Sequence, residues 1–260
     1  MKPNSPKLLI AALLFPLTSH AQQPLETETA RLPHRGSYLI ALTYEAQTSP
    51  DGTEAALPFA IEFGVSDRLA FLVEPVFYTS IRPTAGRGRV ATGAGDLETT
   101  LQYLMRAEGR TAPALALAAE VKFPTAKDPL IGTRRADFTP YLIASKRYGR
   151  VDVHGNAGYS FVGKPPGVTV QNTVNFALAL EDHVTRRVDV LAEVLATTAA
   201  LAGEGGGETS LTSPEIAGSE TVGMLGVRYL AHRGFWLSFG ATYDNTKAVL
   251  FRPGFTFEVP

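Results

Sequence analysis

The chain has 260 residues, 45% hydrophobic and 19% charged, with 24 lysines plus arginines against 25 acidic residues and no cysteine. A balanced charge leaves no electrostatic footprint for nucleic acid, and the apolar content is too high for a disordered chain. The absence of cysteine excludes disulfide scaffolds, thiolate metal sites, iron–sulfur clusters and cysteine nucleophiles together.

At the N-terminus, Lys2 and Lys7 precede and enter the apolar stretch 8–17 (LLIAALLFPL), and Ser19-His20-Ala21 follows it. A basic head, a short apolar run and small residues at a cleavage point define a secretory signal peptide over residues 1–21. The run is too short to span a bilayer. No later stretch is apolar for long enough to form a transmembrane helix. Residues 22–35 show no periodicity and are expected either to hang in the periplasm or to fold inward as a plug. Residues 36–260 are expected to form one domain.

From residue 37 onward apolar and polar residues alternate with period two. Residues 114–123 put Leu115, Leu117, Ala119, Val121 and Phe123 on one face, with Glu120 and Lys122 on the other. Residues 151–161 and 174–181 sort in the same way, with every charge on one face, which the 3.6-residue period of a helix cannot produce. Twelve segments follow the pattern: 37–47, 54–65, 68–79, 95–106, 112–124, 137–147, 150–162, 173–182, 187–197, 219–230, 235–243 and 248–258. In the sixth, Leu142 and Ile143 compete for the apolar face. The segments run to about ten residues, whereas strands of soluble domains have a mode of ~5–6 and tilted membrane strands need ~9–11.

Connections alternate in length. Those at 66–67, 107–111, 148–149, 183–186 and 231–234 are tight, whereas 48–53, 80–94, 125–136, 163–172 and 198–218 are longer, with 244–247 the short exception. Tight turns at one end and long loops at the other predict an all-β fold, a single antiparallel transmembrane β-barrel of twelve strands with periplasmic turns and extracellular loops. Aromatics on the apolar face gather toward segment ends, among them Tyr38, Phe77, Tyr103, Phe123, Tyr159, Phe161, Tyr229, Phe235 and Tyr243. Such placement predicts girdles at the two lipid–water interfaces. Pro58, Pro75, Pro113, Pro140 and Pro253 pull the other way, because proline cannot donate to a ladder and a closed barrel has no edge to hide it on.

The polar faces assign a set of residues to the lumen: Glu62, Glu74, Glu98, Glu120, Lys122, Asp152, His154, Glu181, Glu193, Arg228 and Arg252, with Glu45, Asp189 and Glu258 beside them. Carboxylates and arginines in so narrow a space either pair into a structural network or line a constricted path. Asp152 and His154 invite a catalytic-triad reading with Ser160, but six residues of extended chain put that serine ~20 Å away. No HExxH, GxSxG, EF-hand or Walker motif occurs. The stretch 203–207 (GEGGG) reads as solvent-facing loop. An arginine at Val153, on the apolar face, is expected to cost ~2–4 kcal/mol if that position lies at the bilayer midplane. An arginine at His154 is expected to be tolerated better.

The stretches TGAGDLETTLQYL (92–104), PALALAAEVKFPTA (113–126), TPYLIASKRYG (139–149), GYSFVGKPPG (158–167) and LFRPGFTF (250–257) resemble the outer-membrane family named for the meta-pathway of phenol degradation, whose members are called transporters. The resemblance spans nearly all of the chain after residue 25 and implies an outer-membrane barrel with a role in uptake of aromatic or other hydrophobic compounds. It carries over no binding residues. One departure is the C-terminus, which closes on Phe257-Glu258-Val259-Pro260 rather than on an aromatic residue.

Together these readings place the protein in the outer membrane of a Gram-negative bacterium as a passive channel or transporter for small molecules, aromatic or hydrophobic ones among them. Its expected partners are outer-membrane lipids, the outer-membrane assembly machinery and an unknown small-molecule solute. No nucleic acid, cofactor, metal or enzymatic activity is expected. The rival readings are a non-transporting structural or surface-interaction barrel, a secreted periplasmic β-sandwich or lipocalin-like binder and, last, a membrane-embedded hydrolase.

Overall fold

The computed structural model describes residues 25–85, 88–167, 169–200 and 219–260. The expected signal peptide and the glycine-rich stretch 203–207 lie outside the described residues. Among the described residues the regular elements are all strands: β1 (Tyr38–Thr43), β2 (Glu45–Ser49), β3 (Gly52–Ser66), β4 (Leu69–Pro83), β5 (Ala91–Gly93), β6 (Leu97–Arg106), β7 (Ala114–Phe123), β8 (Asp137–Tyr148), β9 (Val151–Ser160), β10 (Thr173–His183), β11 (Val188–Thr197), β12 (Glu220–His232), β13 (Phe235–Asp244) and β14 (Val249–Val259).

These make twelve staves of one closed antiparallel barrel. β1 and β2 are two halves of the first stave, both lying between β14 and β3. β5 and β6 share the fourth in the same way, each paired with β4. The ring closes where Tyr38 faces Val259 and Thr43 faces Gly254. Closure removes the exposed edges that an open sheet of this size would present, and it overturns the periplasmic-sandwich reading.

The period-two sorting builds the two surfaces. On β7, Ala114, Ala116, Ala118 and Lys122 are buried, while Leu117 and Phe123 point outward. On β10, Ala179 and Glu181 are buried and Phe176, Leu178 and Leu180 exposed. Side chains as large as Leu225, at 68% exposure, stand on the outer wall. Water would penalise such a wall, whereas a hydrocarbon solvent favours it. In the sixth stave the competition resolves with Ile143 inside at 0% exposure and Leu142 outside at 47%.

Two expected connections shrink. β2 and β3 extend until only residues 50–51 separate them, and the loop expected at 80–94 narrows to 84–90. Ladder pairing needs only backbone groups, so strands continue past the apolar band, where no alternation marks them in sequence.

The prolines sit at interruptions of the ladder. Pro253 accepts from Tyr44 N–H at 2.9 Å, and Tyr44 is the residue at which the first stave divides. Pro58 lies at a register shift between β3 and β4, and Pro75 pairs with Leu97, the first residue of β6. Beside Pro140 the β8–β9 ladder stops at Tyr141↔Gly158, apart from a lone bridge at Phe138↔Phe161. In between, the Thr139 and Ser160 hydroxyls bond at 2.8 Å. Pro113 precedes β7 in a turn. Bulges and side-chain bonds thus replace the donors that proline lacks.

The register also moves the arginine test. Val153 pairs with Lys146 and Leu180, only two residues from the start of β9, so it lies near the interface rather than the midplane. Leu178, in the middle of β10 and 53% exposed, is the midplane position. Leu178→Arg is expected to cost ~2–4 kcal/mol and Val153→Arg only ~0–1 kcal/mol, read from urea unfolding in lipid vesicles.

Candidate functional site: a lumen and the segment inside it

Residues 25–31 run inside the barrel, entering from the end where the tight turns lie. At that rim Gly36 N–H bonds Gly64 O (2.7 Å) and Gly64 N–H bonds Ser37 O (3.0 Å). A Cβ on Gly64 would sit 2.1 Å from His34 O, so the chain enters over a glycine. Deeper in, the segment makes no ladder, and wall side chains satisfy its backbone instead. Glu193 accepts from the N–H groups of Glu26 (3.1 Å) and Thr27 (3.0 Å) and from the Thr27 hydroxyl (2.8 Å). Asn156, with its amide turned to satisfy both atoms, accepts from Glu28 N–H (2.7 Å) and donates to Glu28 O (3.0 Å). Gln102 donates to Thr29 O at 2.7 Å, and Ser145 Oγ accepts Ala30 N–H at 2.8 Å.

Small residues on the lumen face make the room. Ala30 packs against Ala114, Ala116, Ala118 and Ile143. Leu25 lies over Gly226 and Gly240, which face each other across β12 and β13. A Cβ on Gly226 would come within 2.4 Å of Leu25 Cδ1.

At the turn end the segment meets a floor of charges. Arg31 donates to Asp152 at 2.8 Å and to Glu108 at 2.9 Å. Arg147 pairs with Asp152 as a fork, and His183 bridges Asp152 (2.9 Å) and Asp189 (2.8 Å). Arg228 pairs with Glu181 and, at 3.2 Å, with Asp189. Three carboxylates inside the barrel thus meet three guanidiniums. Glu108 belongs to the turn below. Burial pushes its carboxyl up, but donors from Arg147 N–H, Arg31 and Lys146 outweigh that and hold it below its ordinary value of 4.5.

Asp152, His154 and Glu181 hold ligand-type atoms within 4.8 Å of one another, as do Glu181, His183 and Asp189. The carboxylates in both groups already have guanidinium partners, so the set fits an internally compensated network better than a metal centre. His154 is 1% exposed and bonds Ser145 Oγ through Nδ1 at 2.8 Å. That serine, and not Ser160, is the one in reach, since Ser160 bonds Thr139 (2.8 Å) and Asn175 (2.7 Å). Ser145 is buried and covered by Ala30, which leaves no place for a reacting carbonyl beside it. With His154 buried, His154→Arg is expected to be tolerated no better than an outward substitution, because it forces a further cation into a filled space.

Next to the floor lie three adjoining cavities of about 130, 410 and 360 Å³, the first bordered by Arg228 of the floor itself. Glu62, Glu74 and Arg252 line the smallest, and Glu98 and Arg252 the largest with Glu45, Glu54 and Glu220. Glu74, Glu98 and Glu120 line the third with Glu28. Glu26 borders all three. Arg252 pairs with Glu26 and with Glu45 (3.0 Å) and donates to Leu25 O (3.1 Å). Lys122 stands apart near the loop end, 2.6 Å from Asp137. Glu181, Asp152, His154 and Arg228 are gathered in the floor, while Glu193 serves the inner segment.

Sequence reasoning missed Arg31, Gln102, Ser145, Arg147, Asn156 and His183. Two signals were present. Alanines at 114, 116 and 118 and glycines at 226 and 240 occupy lumen-facing positions where a narrow barrel would otherwise place filling side chains. Such vacancies mark where another segment of chain fits.

A closed, even-stranded barrel with an apolar outer wall and a charged interior is an outer-membrane β-barrel. Among solved structures it is similar to the COG4313 outer membrane channel from Pseudomonas putida F1, at TM-score 0.64 and 14% identity over 88% of this chain and 98% of that one. It is also similar to the NanC porin, at TM-score 0.58 and 9% identity over 84% and 98%. The KdgM porin aligns at TM-score 0.54 and 10% identity over 84% and 98%. At these identities the likeness is one of fold. No family model and no curated protein matches the sequence.

Proposed function

We propose that the protein is a passive channel for small solutes that have an apolar body and a neutral or positively charged polar group. The observation that carries this reading is the lining of the 410 Å³ cavity, where Glu45, Glu54, Glu98 and Glu220 stand beside Val76, Ile81, Ile131 and Leu195. Carboxylates in such excess over Arg252 repel anions and raise the local concentration of cations, the more so between low-dielectric walls. The aliphatic part of the lining supports solutes with apolar surface, as does the resemblance to the phenol-degradation family. The porins and the channel of similar fold support passive passage over a purely structural role. Residues 25–31 act in this reading as a plug that narrows the route toward the turn end.

Single-channel recording of the mature chain under a salt gradient tests the proposal. The expected reversal potential has the sign of cation preference, and Glu54→Gln with Glu98→Gln and Glu220→Gln, all in the lining of that cavity, shifts it toward zero. Anion preference, or a potential indifferent to these three changes, contradicts the acidic-lumen reading. A folded protein that never conducts contradicts the channel itself.

A further inference from the structure

The outer face at the loop end carries a feature that passage of solutes does not use. Phe138 and Phe161 stack with ring centroids 6.1 Å apart, and Tyr159 meets Phe161 edge-on at 5.0 Å. All three are exposed, Phe138 on β8, Tyr159 on β9 and Phe161 one residue past β9 in the lone bridge to Phe138. Aromatic groups of this kind sit at the headgroup level of a bilayer. Directly beyond them come cations. Arg135 is three residues before Phe138 and Lys164 three residues after Phe161, a reach of at most ~10 Å along an extended chain. The two chain segments that carry them run side by side, since a Cβ on Gly163, the residue before Lys164, would lie 2.6 Å from Arg135 Cβ.

The surroundings leave this positive charge uncompensated. The loops 124–136 and 161–172 contain Lys127, Arg134, Arg135 and Lys164 against the single acid Asp128. Asp128 is engaged elsewhere, by the Arg89 fork at 2.7 and 2.5 Å. That fork holds its carboxyl down at about 2, so it stays ionised and paired. The next carboxylate, Asp137, faces Lys122 at 2.6 Å and accepts Gly163 N–H at 2.6 Å. Arg134, in the left-handed region at φ 59, donates to Lys127 O at 2.6 Å, which ties the loop back on itself beside Arg135. Arg135 and Lys164 are exposed and have no carboxylate partner among the described residues.

We infer that Arg135 and Lys164, above the Phe138–Tyr159–Phe161 cluster, form a site for a phosphate-bearing lipid of the outer leaflet. The rings take the acyl–headgroup boundary and the two cations take a phosphate. Guanidinium and ammonium groups both bind phosphate, the guanidinium as a fork.

The test uses the folded mature protein in detergent, with purified lipid A as the probe and retention after gel filtration as the readout. R135A/K164A is expected to bind lipid A about thirtyfold more weakly, from two basic side chains at a membrane surface. R135K/K164R, which keeps both charges, is expected to bind within a few-fold of the parent. Inorganic phosphate at matched phosphate concentration should not displace the lipid. Equal retention by R135A/K164A overturns the site, and one-for-one displacement by inorganic phosphate makes it a free-anion site instead. Heat-modifiable gel migration shows whether each variant is folded, and the milder single changes R135Q and K164Q carry the comparison if the double change is not.

Discussion

A chain that lacks residues 22–31 is expected to fold into the same barrel and to conduct several-fold more than the intact mature protein in planar bilayers. The segment 25–31 contributes no rung to the ladder, whose closure runs through β1 and β14. It is held by side chains of several staves, chiefly Glu193, Asn156, Gln102, Ser145 and Asp152. Once the segment is gone, water can take over those bonds, because the groups line a polar space wide enough to admit it. Asp152 keeps Arg147 and His183 when Arg31 is lost. A point change gives a second view of the same effect. Gly226→Val places methyl groups where Leu25 now lies, a Cβ alone being 2.4 Å from Leu25 Cδ1. It should lift the start of the segment and raise conductance partway. Unchanged conductance in both proteins would mean that the constriction lies in the floor and not in the segment.

The barrel was legible because its physics is local. Each wall strand must present apolar groups outward and polar groups inward, and that demand writes itself at every second residue, as in Leu117-Ala118-Ala119-Glu120. Turn chemistry at 66–67 and 148–149 was equally local. Strand ends above the membrane were not legible, because backbone pairing there imposes no pattern on side chains, and β2 and β3 outran the expected boundaries for that reason. The prolines looked like contradictions because bulges are tertiary facts. A shift such as the one at Pro58 appears only when β3 is aligned against β4.

The lumen divides in the same way. That Asp152, His154, Glu181 and Arg228 point inward follows from phase. Their gathering into one cluster follows from the registers Glu181↔Asp152 and Asp189↔Arg228, which no single strand records. The partners from the inner segment were further out of reach. Residues 25–31 have no periodicity, and their bonds go to side chains of staves that begin as many as about 160 residues away along the chain, as for Thr27 and Glu193.

Arg228 is the member of the floor whose loss should cost most. Its side chain is 2% exposed, bonded to Glu181 and Asp189, with its guanidinium 5.6 Å from the ring centre of Trp236. Arg228→Ala leaves two buried carboxylates facing each other with His183 as their remaining cationic neighbour. Breaking one side of a buried pair costs ~3–5 kcal/mol, and the lost stacking on indole adds ~0.5–2 kcal/mol. Arg228→Lys restores the charge but not the fork that reaches both acids, so it should recover only part of the loss. The triple change Arg228→Met, Glu181→Gln and Asp189→Asn removes charge on both sides and should lie much nearer the parent, because the desolvation cost disappears with the attraction. Equilibrium urea unfolding in vesicles, at equal slopes, places the four proteins on one scale. The order parent, triple variant, Arg228→Lys, Arg228→Ala is the signature of a compensated network. If Arg228→Ala unfolds with the parent, the floor is solvated well enough that its charges act on passing ions rather than on the fold.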